Sequence, residues 1–316
     1  MLESLDFLKL FGGFVYLLIG GEFLVRGALG LSKESNIPPV VVGMTVVAMG
    51  TSAPELMVST FSALSGYPGI AIGNVVGSNI ANVLLVIGVP VLIYPILTNQ
   101  EGLSKQTSLM VAVSLLFIVL CLLEPISFWE GALLVFILVC FLIMTTRGAN
   151  LLSGLDDPEE ELERGLGLPS NPSGIALLIV LGAVALPLGA NLVVEGGVGL
   201  ATSWGVSEAV IGLSLIALGT SLPELSTTVI AALHKSSDVA IGNVVGSNLF
   251  NILAILGITA MLTDIPVDPQ FMRFDLWVMF AATIMLWIFV LAKRTIGRVS
   301  GVFFLAAYFG YLYTIY

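Results

Sequence analysis

Charge is what this chain has least of. Asp, Glu, Lys and Arg make up 10% of its 316 residues, where a soluble domain carries about 25%. So few ions cannot dress a water-facing surface. With 57% hydrophobic residues and a mean hydropathy of +1.06, the chain reads as a polytopic membrane protein. Cysteine is nearly lacking too. Cys121 and Cys140 lie in apolar runs without CxxC or Cys/His spacing, which argues against a disulfide framework or a thiolate metal centre and leaves thiol packing. His234 is the single histidine; beside Lys235 at the end of an apolar run, it reads as a solvated helix end. The net charge of −10 falls largely in Asp156-Asp157-Pro158-Glu159-Glu160-Glu161-Leu162-Glu163, and no basic face is left for nucleic acid.

Long apolar runs are what the chain has instead. A helix needs about 20 apolar residues to cross a bilayer, and ten spans can be drawn, near 8–31, 39–64, 70–96, 105–123, 127–146, 173–202, 208–233, 239–263, 271–292 and 298–316. The fold expected is an all-α membrane protein of ten transmembrane helices, with 1–146 as a first five-helix repeat, 147–172 as an acidic linker and 173–316 as a second repeat. The first run is not a removable signal peptide, because 20–42 aligns with 189–211 as part of the repeat. An odd number of spans per half sends the second half into the bilayer from the opposite side, giving an inverted repeat. Nine Lys/Arg then collect on the side of the linker, against Lys9 and Arg273 on the other. By the positive-inside rule the linker is cytoplasmic and both termini lie outside the cell membrane. Trp129, Trp204, Trp277 and Trp287 and the tyrosines of 308–313 suit interfacial belts.

One block occurs twice, 169 residues apart and without a gap: 43–88 and 212–257 agree at 22 of 46 positions. Each copy holds Gly-Thr-Ser-X-Pro-Glu and Gly-Asn-Val-Val-Gly-Ser-Asn. A lone carboxylate at mid-bilayer costs about 2.5–3.5 kcal/mol on the insertion scale, so Glu55 and Glu224 are candidates for a paired polar site. Pro54 and Pro223 lack an N–H, and should break their helices and free carbonyls near Ala48 and Ala217. Thr51 shares a helix face with Glu55, and Thr220 with Glu224. In the second element Ser78 and Asn82 are four apart, as are Ser247 and Asn251. If the halves obey their symmetry, two carboxylates, two threonines, four serines (Ser52, Ser221, Ser78, Ser247) and asparagines meet near the midplane. Asn74, Asn79, Asn243 and Asn248 fit packing as well as ion contact. An all-oxygen set suits Ca²⁺ and Na⁺. Two glutamates carry a charge that one Ca²⁺ or several Na⁺ can cancel, so competition for one site gives exchange, with transported ions and no cofactor. The self-contained site points to a functional monomer in the lipid bilayer.

These motifs resemble the alpha-repeats of the cation/calcium exchanger superfamily, in its sodium/calcium exchanger branch from archaea and bacteria. The resemblance spans nearly the whole chain. It implies Ca²⁺ on Glu55 and Glu224, shared Ca²⁺ and Na⁺ coordination by Thr51 and Thr220, and flanking Na⁺ positions using Ser52, Ser221, Ser78, Ser247 and the carbonyls of Ala48 and Ala217. It also implies alternating access, with 14–31 and 183–201 sliding on a rigid core past their glycines. Potassium-dependent relatives carry aspartate at the position of Asn82 or Asn251; asparagine at both implies potassium independence. The resemblance leaves a Ca²⁺/H⁺ or other divalent cation/proton antiporter as the alternative, though that branch shows a GNxxE-type motif. A passive channel ranks lower. An intramembrane hydrolase lacks a His or Lys base for Ser52 or Ser221.

Overall fold

In hydrocarbon a backbone N–H or C=O finds no water, so each apolar run must satisfy its own polar groups as a helix. The computed structural model describes residues 2–123, 125–152, 169, 171–204 and 217–315, and its regular structure there is helical apart from two single antiparallel bridges. Helix α1 (Leu2–Ser35) precedes a broken span made of α2 (Pro39–Thr51) and α3 (Ala53–Leu64). Then come α4 (Pro68–Leu84) with its continuation Pro90–Ile93, α5 (Leu103–Leu122) and α6 (Phe128–Leu152). The second half repeats the order. It has α7 (Pro172–Ser203), the turn Ala217–Gly219 leading into α8 (Leu222–Leu233), α9 (Ser237–Leu262), the short Pro269–Arg273, α10 (Asp275–Leu291) and α11 (Arg298–Ile315). The acidic stretch 156–163, and residues 205–216 where the seventh span is expected to begin, lie outside the described residues. The protein is an all-α membrane protein of ten spans in two inverted five-helix repeats.

The bridges display the relation between the halves. Ile96, after the third span, pairs with Ile296, before the tenth; Ile265, after the eighth, pairs with Ile126, before the fifth. Ile265 follows Ile96 by 169 residues and Ile296 follows Ile126 by 170, so the repeat exchanges one bridge for the other.

Two long helices form a seam of their own. α1 and α7 pack together along much of their length, and glycines recur every seven residues on both, at 13, 20 and 27 and at 182, 189 and 196. A Cβ placed on Gly189 would lie 2.8 Å from the Leu17 nitrogen and 2.9 Å from the Gly13 oxygen; one on Gly182 would lie 2.7 Å from the Leu24 nitrogen. Only glycine admits backbones this close. Behind the seam, α4 and α9 form the core, α9 being buried along almost its whole length.

The third span is not the unbroken helix expected over 70–96. α4 ends at Leu84, and the Val86 N–H reaches back five residues to the Ala81 carbonyl at 2.9 Å. In the second half the equivalent stretch, Asn251–Leu256, is a π-helical turn. Both wide turns thus begin beside Asn82 or Asn251, and such turns often mark functional positions.

Candidate functional site

Each half breaks a helix at a serine. Ser52 has φ −86°, ψ 3° and Ser221 has φ −88°, ψ 1°, and α2 and α3 are bent by 44° across the break. Pro54 and Pro223 sit in the first turn of the helix that follows, where a missing N–H is harmless. Glu55 and Glu224 share those first turns, at the positive end of the helix dipole. Both are 0% exposed. The break therefore turns a helix N-terminus towards the molecule's interior from each half.

Hydrogen bonds across the halves surround this pair. Ser52 Oγ donates to Glu224 Oε1 at 3.1 Å. Thr51 Oγ1 lies 3.2 Å from Asn243 Oδ1 and 3.4 Å from Ser247 Oγ, and Thr220 Oγ1 lies 3.3 Å from Asn74 Oδ1. Asn251 Nδ2 donates to Ser78 Oγ at 2.9 Å and to Asn79 Oδ1 at 3.0 Å. Of the sequence-derived site residues, Glu224, Thr51, Thr220, Ser52, Ser78, Ser247 and Asn251 are in hydrogen-bond contact with the opposite half. Several buried atoms make no hydrogen bond within the protein: both Glu55 oxygens, Glu224 Oε2, Ser221 Oγ, Asn251 Oδ1, and both polar atoms of Asn82. Acceptors left over in this way are all oxygen, the donor type that hard cations take.

The symmetry is incomplete. Ser52 reaches Glu224, but Ser221 does not reach Glu55; Asn251 reaches Ser78, but Asn82 does not reach Ser247. The Ala48 carbonyl is not freed as expected. It accepts the Ser52 N–H at 2.9 Å and the Thr51 hydroxyl at 3.3 Å, because Pro54 withholds its donor from Gly50 rather than from Ala48. Ala217 is described only as the start of its short turn.

Sequence reading passed over Ser59 and Thr228, which accept the Asn74 and Asn243 amides at 2.9 and 3.1 Å. A hydroxyl four residues after the motif glutamate in both copies was the available signal. His234 is not simply a solvated end: its Nε2 lies 2.6 Å from Glu22 Oε2 of α1. Glu195 pairs with Lys9 at 2.9 Å, whereas Arg26 lies 3.9 Å from Glu22. Trp287 Nε1 donates to Ser108 Oγ at 2.8 Å, and Tyr308 is buried.

Residues 6–147 and 174–316 match the family described as "Sodium/calcium exchanger protein". The chain belongs to this family. Within the sodium/calcium exchanger family it is 32% identical to the sodium/calcium exchanger MaX1 of Methanosarcina acetivorans, with 99% of each chain covered. It is 34% identical to the inner membrane protein YrbG of Escherichia coli, over 86% of this chain and 84% of the relative. A solved structure of the sodium-calcium exchanger NCX_Mj, soaked with 10 mM Na⁺ and zero Ca²⁺, matches with a TM-score of 0.85 at 28% identity, over 100% of both chains.

Proposed function

We propose that the chain is a sodium/calcium antiporter that moves Na⁺ against Ca²⁺ by alternating access. One observation carries the reading: a carboxyl group from each half is fully buried, Ser52 beside Glu55 reaches Glu224 of the other half, and both Glu55 oxygens and Glu224 Oε2 receive no hydrogen bond from an N–H or hydroxyl of the protein. Unpaired buried carboxylates are costly, and a bound cation removes that cost. One Ca²⁺ matches the two charges, and Na⁺ ions can do the same from the same oxygens. Neither ion's site survives the other's occupancy, and an empty site is the least favoured state to carry across. Exchange follows from that.

In this proposal Glu55 and Glu224 hold Ca²⁺ with Thr51 and Thr220. Ser52, Ser221, Ser78, Ser247, Asn82 and Asn251 and the carbonyl of Ala217 complete the Ca²⁺ and Na⁺ positions. The amide donors of Asn251 are taken by Ser78 and Asn79, which supports its Oδ1 as the ion-facing atom. Serine chemistry is not proposed, since Ser52 bonds a carboxylate and no His or Lys base. Repeats 1–146 and 173–316 would flank a cytoplasmic linker, 147–172, with both termini outside, as the Lys/Arg bias supports. Every assigned ligand comes from one chain, which supports a functional monomer. The printed name of MaX1 as a sodium/calcium exchanger supports the choice of ions.

Vesicles reconstituted with the protein and loaded with Na⁺ are expected to take up labelled Ca²⁺ down the sodium gradient. Glu55→Gln and Glu224→Gln should each abolish uptake. Uptake driven equally by a pH gradient without Na⁺ would favour the proton-coupled alternative; uptake indifferent to both substitutions would exclude this site.

A further inference from the structure

Two asparagines stand beside the carboxylate pair and make the same bonds in each half. Asn74 of α4 donates through Nδ2 to the Glu55 backbone carbonyl at 3.3 Å and to Ser59 Oγ at 2.9 Å, both on α3, and its Oδ1 receives Thr220 Oγ1 of the other half at 3.3 Å. Asn243 of α9 donates to the Glu224 carbonyl at 3.4 Å and to Thr228 Oγ1 at 3.1 Å, and receives Thr51 Oγ1 at 3.2 Å. Each partner in one set lies 169 residues from its counterpart in the other. While other bonds of the site break the symmetry, this arrangement keeps it.

We propose that Asn74 and Asn243 are positioning residues: each takes the proton of the site threonine contributed by the opposite half, so that the hydroxyl offers a bound cation only lone pairs. The polarity follows from the partners. A backbone carbonyl can only accept, so the amide end facing Glu55 must be Nδ2, which leaves Oδ1 for Thr220. A hydroxyl has a single proton; once that proton lies on Oδ1, what remains towards the site is acceptor. Thr51 Oγ1 also lies 3.3 Å from the Ala48 carbonyl, a second acceptor for the same proton. Without the amide, a threonine would turn its proton to the nearest glutamate oxygen and present a donor where a cation needs an acceptor. The same amide also ties the first turn of its own half's broken helix, so ligand polarity in one half depends on the backbone of the other.

This proposal rests on the ion site proposed above, and one set of binding measurements separates the two. Equilibrium binding of labelled Ca²⁺ to the purified full chain is compared for wild type, Asn74→Ala, Thr220→Val and the double variant. Asn74→Ala and Thr220→Val are each expected to weaken Ca²⁺ binding by about tenfold. The double variant should be within about threefold of either, because residues acting through one another are not additive. The pair Asn243→Ala and Thr51→Val gives an independent copy of the cycle if Asn74→Ala fails to fold. Thr220→Ser, which keeps a hydroxyl for Asn74 Oδ1, should stay folded and bind within about threefold of wild type. Wild-type affinity in a folded Asn74→Ala, losses that multiply in the double variant, or damage in Thr220→Ser equal to that in Thr220→Val would each overturn the proposal. Glu55→Gln is measured alongside: if it alone abolishes binding while the alanine variants do not weaken it, the positioning role fails and the site stands; if it binds normally, the site itself is wrong.

Discussion

Asn251 and Asn82 occupy equivalent places and live differently. Asn251 gives both amide protons to first-half oxygens, on Ser78 and Asn79, whereas neither polar atom of Asn82 has a partner. A carboxylate at Asn251 could not donate, and would face the Asn79 oxygen with like lone pairs while adding a third negative charge beside Glu55 and Glu224. With asparagine at both places, external K⁺ at constant voltage should leave Ca²⁺ transport unchanged. Asn251→Asp should alter that balance, lowering Ca²⁺ uptake several-fold in Na⁺ alone, as breaking a buried hydrogen-bond network costs about 1–3 kcal/mol. Parallel flux assays with and without K⁺ check both statements; strong K⁺ dependence of the wild type would refute the first.

At the level of elements, two devices recur: a helix broken at Ser-X-Pro, and a helix pair joined through glycines. The first delivers a carboxylate on a positive helix end, which a continuous helix cannot do. The second brings α1 and α7 to backbone contact. Gly189→Leu would push a side chain into the Leu17 nitrogen and the Gly13 oxygen, and overpacking of this kind costs about 1–3 kcal/mol. Gly12→Leu meets nothing within 4 Å and serves as its control. Thermal melts in detergent should fall for Gly189→Leu and hold for Gly12→Leu. Equal melts would mean that the seam is looser than its geometry implies.

The whole molecule is less symmetric than its repeats. α1 packs along α8, where Ser226 Oγ donates to the Leu17 carbonyl at 2.6 Å and His234 meets Glu22. The equivalent contact of α7 with α3 is not comparably formed. Ile230 is accordingly 6% exposed and its repeat mate Phe61 73% exposed. The mates of Glu22 and His234 are Asn191 and Ser65, so this contact has no twin for the opposite arrangement. It favours the form in which α1 lies on α8. A partly exposed imidazole–carboxylate contact is worth about 1 kcal/mol or less. His234→Ala should therefore shift the population away from this form by up to about fivefold, read as a broadened distance distribution between spin labels on α1 and α8. An unchanged distribution would show that packing alone holds α1 in place.

Composition, the 169-residue repeat and its odd span count determined by themselves that the chain is a ten-span inverted repeat with an intramembrane glutamate, Glu55 or Glu224, in each copy. They could do so because lipid forces helices on any long apolar run and makes a twice-repeated buried carboxylate too costly to be incidental. Partner choice was another matter. That Asn74 serves Thr220 and Asn243 serves Thr51, that the Ala48 carbonyl stays bonded, and that His234 meets Glu22 came only from the tertiary structure. Each is a contact between residues remote in sequence or a choice between nearby acceptors, fixed by how two halves interlock within a few tenths of an ångström. Periodicity can assign a residue to a helix face, but which oxygen a shared proton reaches is decided by that packing.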